Sequence, residues 1–162
     1  MAFQPSPAAI VRIKSAAFAL SLLPVARLAL GAPAGWLGVN PVEFVTRSTG
    51  TWTLVLLCVT LALTPARRMT GWSALARVRR MVGLYAFFYA CLHFATYVWL
   101  DQWFDAAAML RDVVKRPFIT AGFTAFVLLL PLAATSTHAM MRRLGRRWGE
   151  LHRLVYAVAI LV

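Results

Sequence analysis

The chain has 162 residues, of which 61% are hydrophobic, and its mean hydropathy is +0.72. This balance excludes a water-soluble domain and predicts an integral membrane protein. Seventeen Lys and Arg against five Asp and Glu give a net charge of +12. The basic residues stand in short blocks between apolar runs, where they set topology and contact anionic lipid headgroups. Their placement argues against a nucleic-acid partner.

The two cysteines predict no metal or redox site. Cys58 and Cys91 both fall inside apolar runs, and the sequence contains no CxxC pair. Iron–sulfur clusters and structural zinc sites therefore lack a ligand set. We expect both thiols to pack as small hydrophobic side chains.

The first half of the chain predicts two membrane spans. Residues 1–9, with Pro5 and Pro7, form a disordered cytoplasmic lead, and residues 10–30 form a first span with a kink at Pro24. A turn rich in Gly and Pro follows. The second span covers residues 44–63 and is closed by Pro65.

The third span is the clearest one, because residues 81–100 carry no formal charge. A helix of that length crosses a bilayer core of about 30 Å. Arg79 and Arg80 precede it and Asp101 follows it, while Trp99 and Trp103 stand where an interfacial aromatic belt belongs.

The rest of the chain predicts an interfacial helix and two more membrane helices. Residues 101–117 mix apolar and charged side chains as an interfacial helix does, and residues 118–135 form a fourth span that contains Pro131. The apolar run 151–162 is too short to cross a bilayer, so we expect a fifth span that continues beyond Val162. The predicted fold class is all-α, a polytopic transmembrane helix bundle in one domain over residues 10–162, incomplete at its C-terminus.

The basic blocks predict the orientation. If the spans alternate, the lead and the arginine-rich loops 67–80 and 142–147 lie on one side of the membrane. The positive-inside rule puts that side in the cytoplasm, and with it the N-terminus.

Three histidines are the candidate functional residues. His93 lies within the third span, about 18 Å along the helix from its cytoplasmic entry, and His152 lies at the cytoplasmic edge of the fifth span. Imidazoles at matched depths on two helices clamp a haem. The residue at the depth of His93 on the fifth helix comes just after Val162, and Arg79 lies at about the depth of His152.

Simpler interpretations of the histidines stay open. A lone intramembrane histidine more often bonds a neighbouring helix than binds a metal. His152, close to Glu150 and Arg153, can be a solvated interfacial residue. His138 lies beyond the fourth span among Ser and Thr that can satisfy it, and is the weakest candidate for a ligand.

Several motifs, in order along nearly the whole chain, resemble one family. They are NPVEFVTRSTGTW, TPARR, RRMVGLYAFFYACLHFATYVWLDQ, KRPFIT, PLAATS and RRLGRRWGELHRLVY. Together they are similar to the MsrQ family (formerly YedZ), the haem-binding membrane subunits of bacterial periplasmic methionine sulfoxide reductase systems, within the ferric-reductase-like transmembrane group.

The resemblance implies a bundle of about six helices in the bacterial inner membrane, holding haem b, with FMN also associated. Electrons would pass from a cytoplasmic flavin reductase or the quinone pool to a periplasmic molybdopterin reductase, MsrP. It implies axial ligation of haem iron by His93 and His152, with a further histidine beyond Val162. Arg79 stands where some relatives carry a second histidine, so it and Arg80 are candidates for haem propionate or interface contacts. His138 matches no family motif, and the FMN site is unassigned.

We therefore expect an electron-transfer subunit of an oxidoreductase system rather than its catalytic subunit. The sequence has no GxGxxG motif, so the electron donor is expected to be a separate protein or quinol. The alternative is a haem-free small membrane transporter or assembly scaffold with helix-bridging histidines. A transporter predicts paired broken helices, but the spans around Pro24 and Pro131 do not resemble each other.

Overall fold

The computed structural model describes residues 6–162, and these residues form helices and no strands. Within residues 6–162, four helices are long and apolar enough to cross a membrane, which confirms the predicted polytopic bundle. Large apolar side chains are exposed along them, among them Leu20, Leu54, Leu84 and Val127. Such exposure suits helices whose solvent is lipid. The predicted lead falls partly on residues 1–5, which lie outside the described part.

The chain divides into two compact units, the first ending at Tyr89 and the second running from Ala90 to Val162. In chain order, the helices are α1 Pro7–Gly31, α2 Pro41–Thr70, α3 Ala74–Thr96 with a π-helical segment Tyr97–Asp101, α4 Ala106–Lys115, α5 Pro117–Ala134, α6 His138–Leu144, α7 Arg146–Leu151 and α8 Leu154–Leu161.

Side-chain caps set the starts of the first two helices. Ser6 accepts a hydrogen bond from the Ala9 amide (3.2 Å), so α1 begins three residues before the predicted span. Asn40 accepts one from the Glu43 amide (3.2 Å). These caps satisfy amides that have no partner within the helix.

The prediction that Pro65 closes the second span is wrong. Helix α2 runs through Pro65 and ends at Thr70, where Gly71 adopts a φ of +69°. A proline removes one hydrogen bond of the helical ladder, and a membrane helix tolerates that loss. Only the left-handed conformation of Gly71 ends the helix, because glycine adopts it without steric cost.

A tyrosine from α3 enters the backbone ladder of α1. The Tyr89 hydroxyl donates to the Ser21 carbonyl oxygen (2.8 Å) and accepts from the Val25 amide (3.0 Å). These two backbone groups are an i, i−4 pair of α1, so the hydroxyl contacts both partners of one helical turn. Pro24 lies in the same turn and has no N–H of its own.

Helix α3 also approaches α2 closely. A Cβ built on Gly83 would lie 3.4 Å from Thr60 Cγ2. Small residues at such a contact let two membrane helices pack backbone to backbone. On the α1 side, Phe18 meets Tyr85 edge to face, with ring centroids 6.0 Å apart.

In the second unit, α4 is attached through one carboxylate. Asp112 accepts hydrogen bonds from Gln102 (2.9 Å) and Tyr97 (3.3 Å), and it pairs with Arg116 (3.3 Å). The helix predicted between the third and fourth spans is therefore present. Its exposed side carries Leu110 and Val114.

Helix α5 is the central element of the second unit. Its residues Ala125, Leu129 and Leu132 form a buried stripe, and α8 packs against α5 with Val155 and Val158 buried. Helix α8 begins at Leu154, three residues later than the predicted fifth span. The residues between α7 and α8 include His152.

Candidate functional site

The three histidines all belong to the second unit, whereas Arg79 and Arg80 belong to the first. Both arginines lie on α3 and are half-buried. His138 is exposed at the first position of α6. His93 and His152 are half-buried. The residue after His93 packs on α5, and His152 itself contacts the end of α5.

His93 lies near the end of α3, one turn before the helix changes to π-helical geometry at Tyr97. Its carbonyl oxygen accepts a hydrogen bond from the Thr96 hydroxyl (2.8 Å). The next residue, Phe94, stacks on Phe126 of α5 with ring centroids 4.8 Å apart. Aromatic packing therefore holds the His93 end of α3 against the middle of α5.

His152 is held at the other end of α5. Its Nε2 atom lies 3.2 Å from Thr135 Oγ1, the hydroxyl oxygen of the residue that ends α5. Its ring stacks on Trp148, with centroids 4.0 Å apart and planes inclined by 28°. Trp148 Nε1 donates to the Thr135 carbonyl oxygen (3.0 Å). The indole thus satisfies a helix-end carbonyl, and both rings are fixed against α5.

The two histidines lie at different levels along α5. Phe94, the residue after His93, stacks on Phe126, whereas His152 contacts Thr135, which lies nine residues after Phe126 in the sequence. Nine residues of helix rise about 14 Å. The two axial ligands of one haem bind the same iron atom, so they must lie at one level. The spacing of Phe126 and Thr135 along α5 argues against His93 and His152 as a pair on one iron.

The donor chemistry fits haem better than a bare metal ion. Among residues 6–162 there is no group of three or more His, Cys, Asp or Glu side chains that could hold a metal ion. A porphyrin supplies four nitrogen ligands itself and needs only one or two imidazoles from the protein. Half-buried single histidines in an apolar, aromatic setting meet that need.

The sequence did not predict Thr135 and Trp148 as partners of His152. It offered the Ser and Thr residues after the fourth span as partners of His138, whereas Thr135 bonds His152. The i, i+4 spacing of Trp148 and His152 is a signal that could have indicated their stacking. Thr135 is seventeen residues from His152, and only the fold brings them together.

The helical membrane fold and its histidines agree with a ferric-reductase-like class. The sequence profile of the family described as "Ferric reductase like transmembrane component" matches residues 49–162. A protein of Herminiimonas arsenicoxydans named "Protein-methionine-sulfoxide reductase heme-binding subunit MsrQ" is 60% identical, over 99% of this chain and 74% of the relative. One of Bordetella pertussis with the same name is 61% identical, over 94% of this chain and 74% of the relative.

The chain therefore belongs to the MsrQ family of heme-binding subunits of protein-methionine-sulfoxide reductase. A Ralstonia nicotianae relative with that name is 57% identical, over 96% of this chain and 72% of the relative. No solved structure gives a significant match.

Proposed function

We propose that this chain is a haem b-containing electron-transfer subunit of the bacterial inner membrane. It accepts electrons from a cytoplasmic flavin reductase or the quinone pool and passes them to MsrP, a periplasmic molybdopterin methionine sulfoxide reductase that repairs oxidised proteins. The observation that carries the proposal is the presence of two half-buried histidines, one next to the residue that stacks on Phe126 and the other bonded to Thr135, two levels of α5 about 14 Å apart. The relatives' names, which state heme binding, support it.

His93 and His152 act as axial ligands in this proposal. A neutral imidazole offers the nitrogen lone pair that haem iron takes. When bound, haem supplies the one-electron redox chemistry, and the protein supplies ligands, position and low dielectric. At these two levels of α5, His93 and His152 would each hold a haem of its own.

Positive charge and topology complete the proposal. Arg79 and Arg80 neutralise haem propionates or anchor α3 at the membrane interface. The N-terminus and the arginine-rich segments face the cytoplasm, following the positive-inside rule. Association with FMN follows from the family resemblance, and no residue is assigned to it.

Electron delivery tests this function. Membranes containing the protein are reduced anaerobically with either a quinol or a flavin reductase with NADH, and MsrP with methionine sulfoxide is then added. We expect the haem absorbance to return to that of the oxidised form only when MsrP and methionine sulfoxide are both present. If the haem stays reduced in the presence of active MsrP and methionine sulfoxide, MsrP is not the electron acceptor of this protein.

The same His152 contact favours a second candidate, the haem-free scaffold. The bond from His152 to Thr135 ties the start of α8 to the end of α5, which is the role expected of a helix-bridging histidine. The two candidates differ in haem content. The scaffold is supported if the purified protein binds no haem after supplementation and the His152→Ala variant unfolds more readily than the wild type.

A further inference from the structure

Arg27 is a charged residue on an otherwise apolar, exposed face of α1. It lies four residues before Gly31, where α1 ends, and outside the basic blocks of the chain. Leu20, Leu23 and Leu30 share its face of the helix, and each is more than half exposed. A charged side chain in a membrane span is costly unless a partner compensates the charge.

An aromatic ring of α2 fixes the depth of the Arg27 side chain. The guanidinium carbon lies 5.8 Å from the centroid of the Phe44 ring, which is a cation–π contact. Phe44 is the fourth residue of α2, which begins at Pro41. Four residues of helix rise about 6 Å, so Arg27 and Phe44 each lie about one turn from the helix ends that the loop after α1 connects. From that depth a long basic side chain reaches the headgroup region of a bilayer.

The acidic residue next to Phe44 does not compensate the charge of Arg27. One carboxylate oxygen of Glu43 pairs with Arg47 (2.9 Å), and the other accepts a hydrogen bond from the Asn40 side chain (3.3 Å). Within residues 6–162, the Arg27 side chain makes no ion pair and no hydrogen bond. A guanidinium carries five N–H donors in a planar fork that matches a phosphate group. One positive charge and its donors therefore remain for an external anion.

We propose that Arg27 binds the phosphate group of a phospholipid in the leaflet at the Gly31 end of α1, and that Phe44 positions the guanidinium. The exposed leucines beside Arg27 support a lipid as the source of the phosphate, because the acyl chains of the same molecule can lie along them. Glu43 and Arg47 neutralise each other, so the remaining charge favours an anionic lipid such as phosphatidylglycerol. This site depends neither on haem nor on the orientation of the chain in the membrane.

The test compares lipid binding by variants of the full chain. Purified protein is titrated with phosphatidylglycerol in detergent micelles that also contain phosphatidylcholine, and native mass spectrometry gives the apparent Kd of the first bound phosphatidylglycerol. Arg27→Gln removes the charge, whereas Arg27→Lys keeps the charge and loses the planar fork. Arg12→Gln is the matched control, because Arg12 is also exposed on α1 and its replacement changes the net charge equally.

We expect Arg27→Gln to weaken phosphatidylglycerol binding about tenfold, the loss typical of one hydrogen bond to a charged group. Arg27→Lys should weaken binding less, and Arg12→Gln should leave it unchanged. Unchanged binding in Arg27→Gln overturns the proposal. An equal loss in Arg27→Gln and Arg12→Gln also overturns it, since the effect would then be one of net charge alone.

The positioning role of Phe44 has its own variant. Phe44→Leu keeps an apolar side chain but removes the ring face, so phosphatidylglycerol binding should weaken. In the Arg27→Gln background the same substitution should have no further effect, because the ring acts through the guanidinium. Additive losses would show that Phe44 does not position Arg27.

A competition experiment identifies the source of the phosphate. Inorganic phosphate in excess should not displace phosphatidylglycerol, because it has no acyl chains to lie along the exposed leucines. Displacement by inorganic phosphate would show a site for a free anion and would overturn the assignment to a phospholipid.

Discussion

The Tyr89 hydroxyl donates a hydrogen bond to the Ser21 carbonyl oxygen (2.8 Å) and accepts one from the Val25 amide (3.0 Å). One side chain of α3 thereby forms hydrogen bonds with two backbone groups of α1 beside Pro24. Tyr89 is fully buried, so water cannot take its place. A buried hydroxyl is costly without hydrogen-bond partners, and these two contacts therefore hold α3 against α1.

Replacing Tyr89 by Phe should destabilise the protein by about 1–3 kcal/mol, because the ring stays but the Ser21 and Val25 backbone groups lose their bridge. Unfolding in detergent, by heat or denaturant, measures the change. Tyr85→Phe is the matched control, since its ring contact with Phe18 does not use the hydroxyl. Equal stability of Tyr89→Phe and Tyr85→Phe would show that the bridge contributes nothing.

The close approach of α2 and α3 predicts a size limit at Gly83. Gly83→Ala adds a Cβ at ordinary contact distance from Thr60, so its midpoint of thermal unfolding should match or slightly exceed that of the wild type. Gly83→Leu needs room that Thr60 occupies, and its midpoint should fall. Gly122→Leu, where a Cβ meets nothing within 4 Å, is the control. A Gly83→Leu protein as stable as this control contradicts the packing.

The four spans could be predicted from sequence because length and apolarity decide them locally. Their ends were less predictable. Helix α2 continues past Pro65 since the next residue able to end it without strain is Gly71. Helix α3 begins at Ala74 instead of at the predicted residue 81, because a helix extends beyond the apolar run that marks its membrane part.

The site was predictable only in part. The depths of His93 and His152 in the membrane are predictions from helical rise and alternating spans. The Thr135 partner and the Tyr89 bridge were missed, since each joins residues distant in sequence through packing. The π-helical segment after His93 was also not predicted. There the Gln102 amide donates to the Tyr97 carbonyl oxygen (3.0 Å), which changes the helical register, and no residue pattern in the sequence indicates it.

The orientation predicts where reporters fused to the loops become active. A fusion after Gly71 should have cytoplasmic activity and one after Asp105 periplasmic activity, because the positive-inside rule places the basic block around residues 67–80 in the cytoplasm. Paired alkaline phosphatase and fluorescent-protein fusions measure this. The reverse pattern at both sites would contradict the assigned depth of His93.

The proposed ligands predict a selective loss of haem. His93→Ala should lose the haem at its own level while still inserting into the membrane, because the substitution removes a ligand without adding polarity. His138→Ala is the control, since His138 is exposed on α6 and is the weakest candidate for a ligand. Haem per polypeptide and membrane content are measured together. If the His93→Ala variant retains all its haem, His93 is not a haem ligand.

The most direct test of the account is a reduced-minus-oxidised visible spectrum of the detergent-purified protein, with iron and protoporphyrin quantified per polypeptide. The spectrum should be taken after haem supplementation, on this 162-residue chain and on a form extended beyond Val162. We expect bis-imidazole haem b bands in the extended form, and weaker bands in the shorter chain if a ligand lies past Val162. Absence of porphyrin from both forms would contradict the electron-carrier function and leave the scaffold.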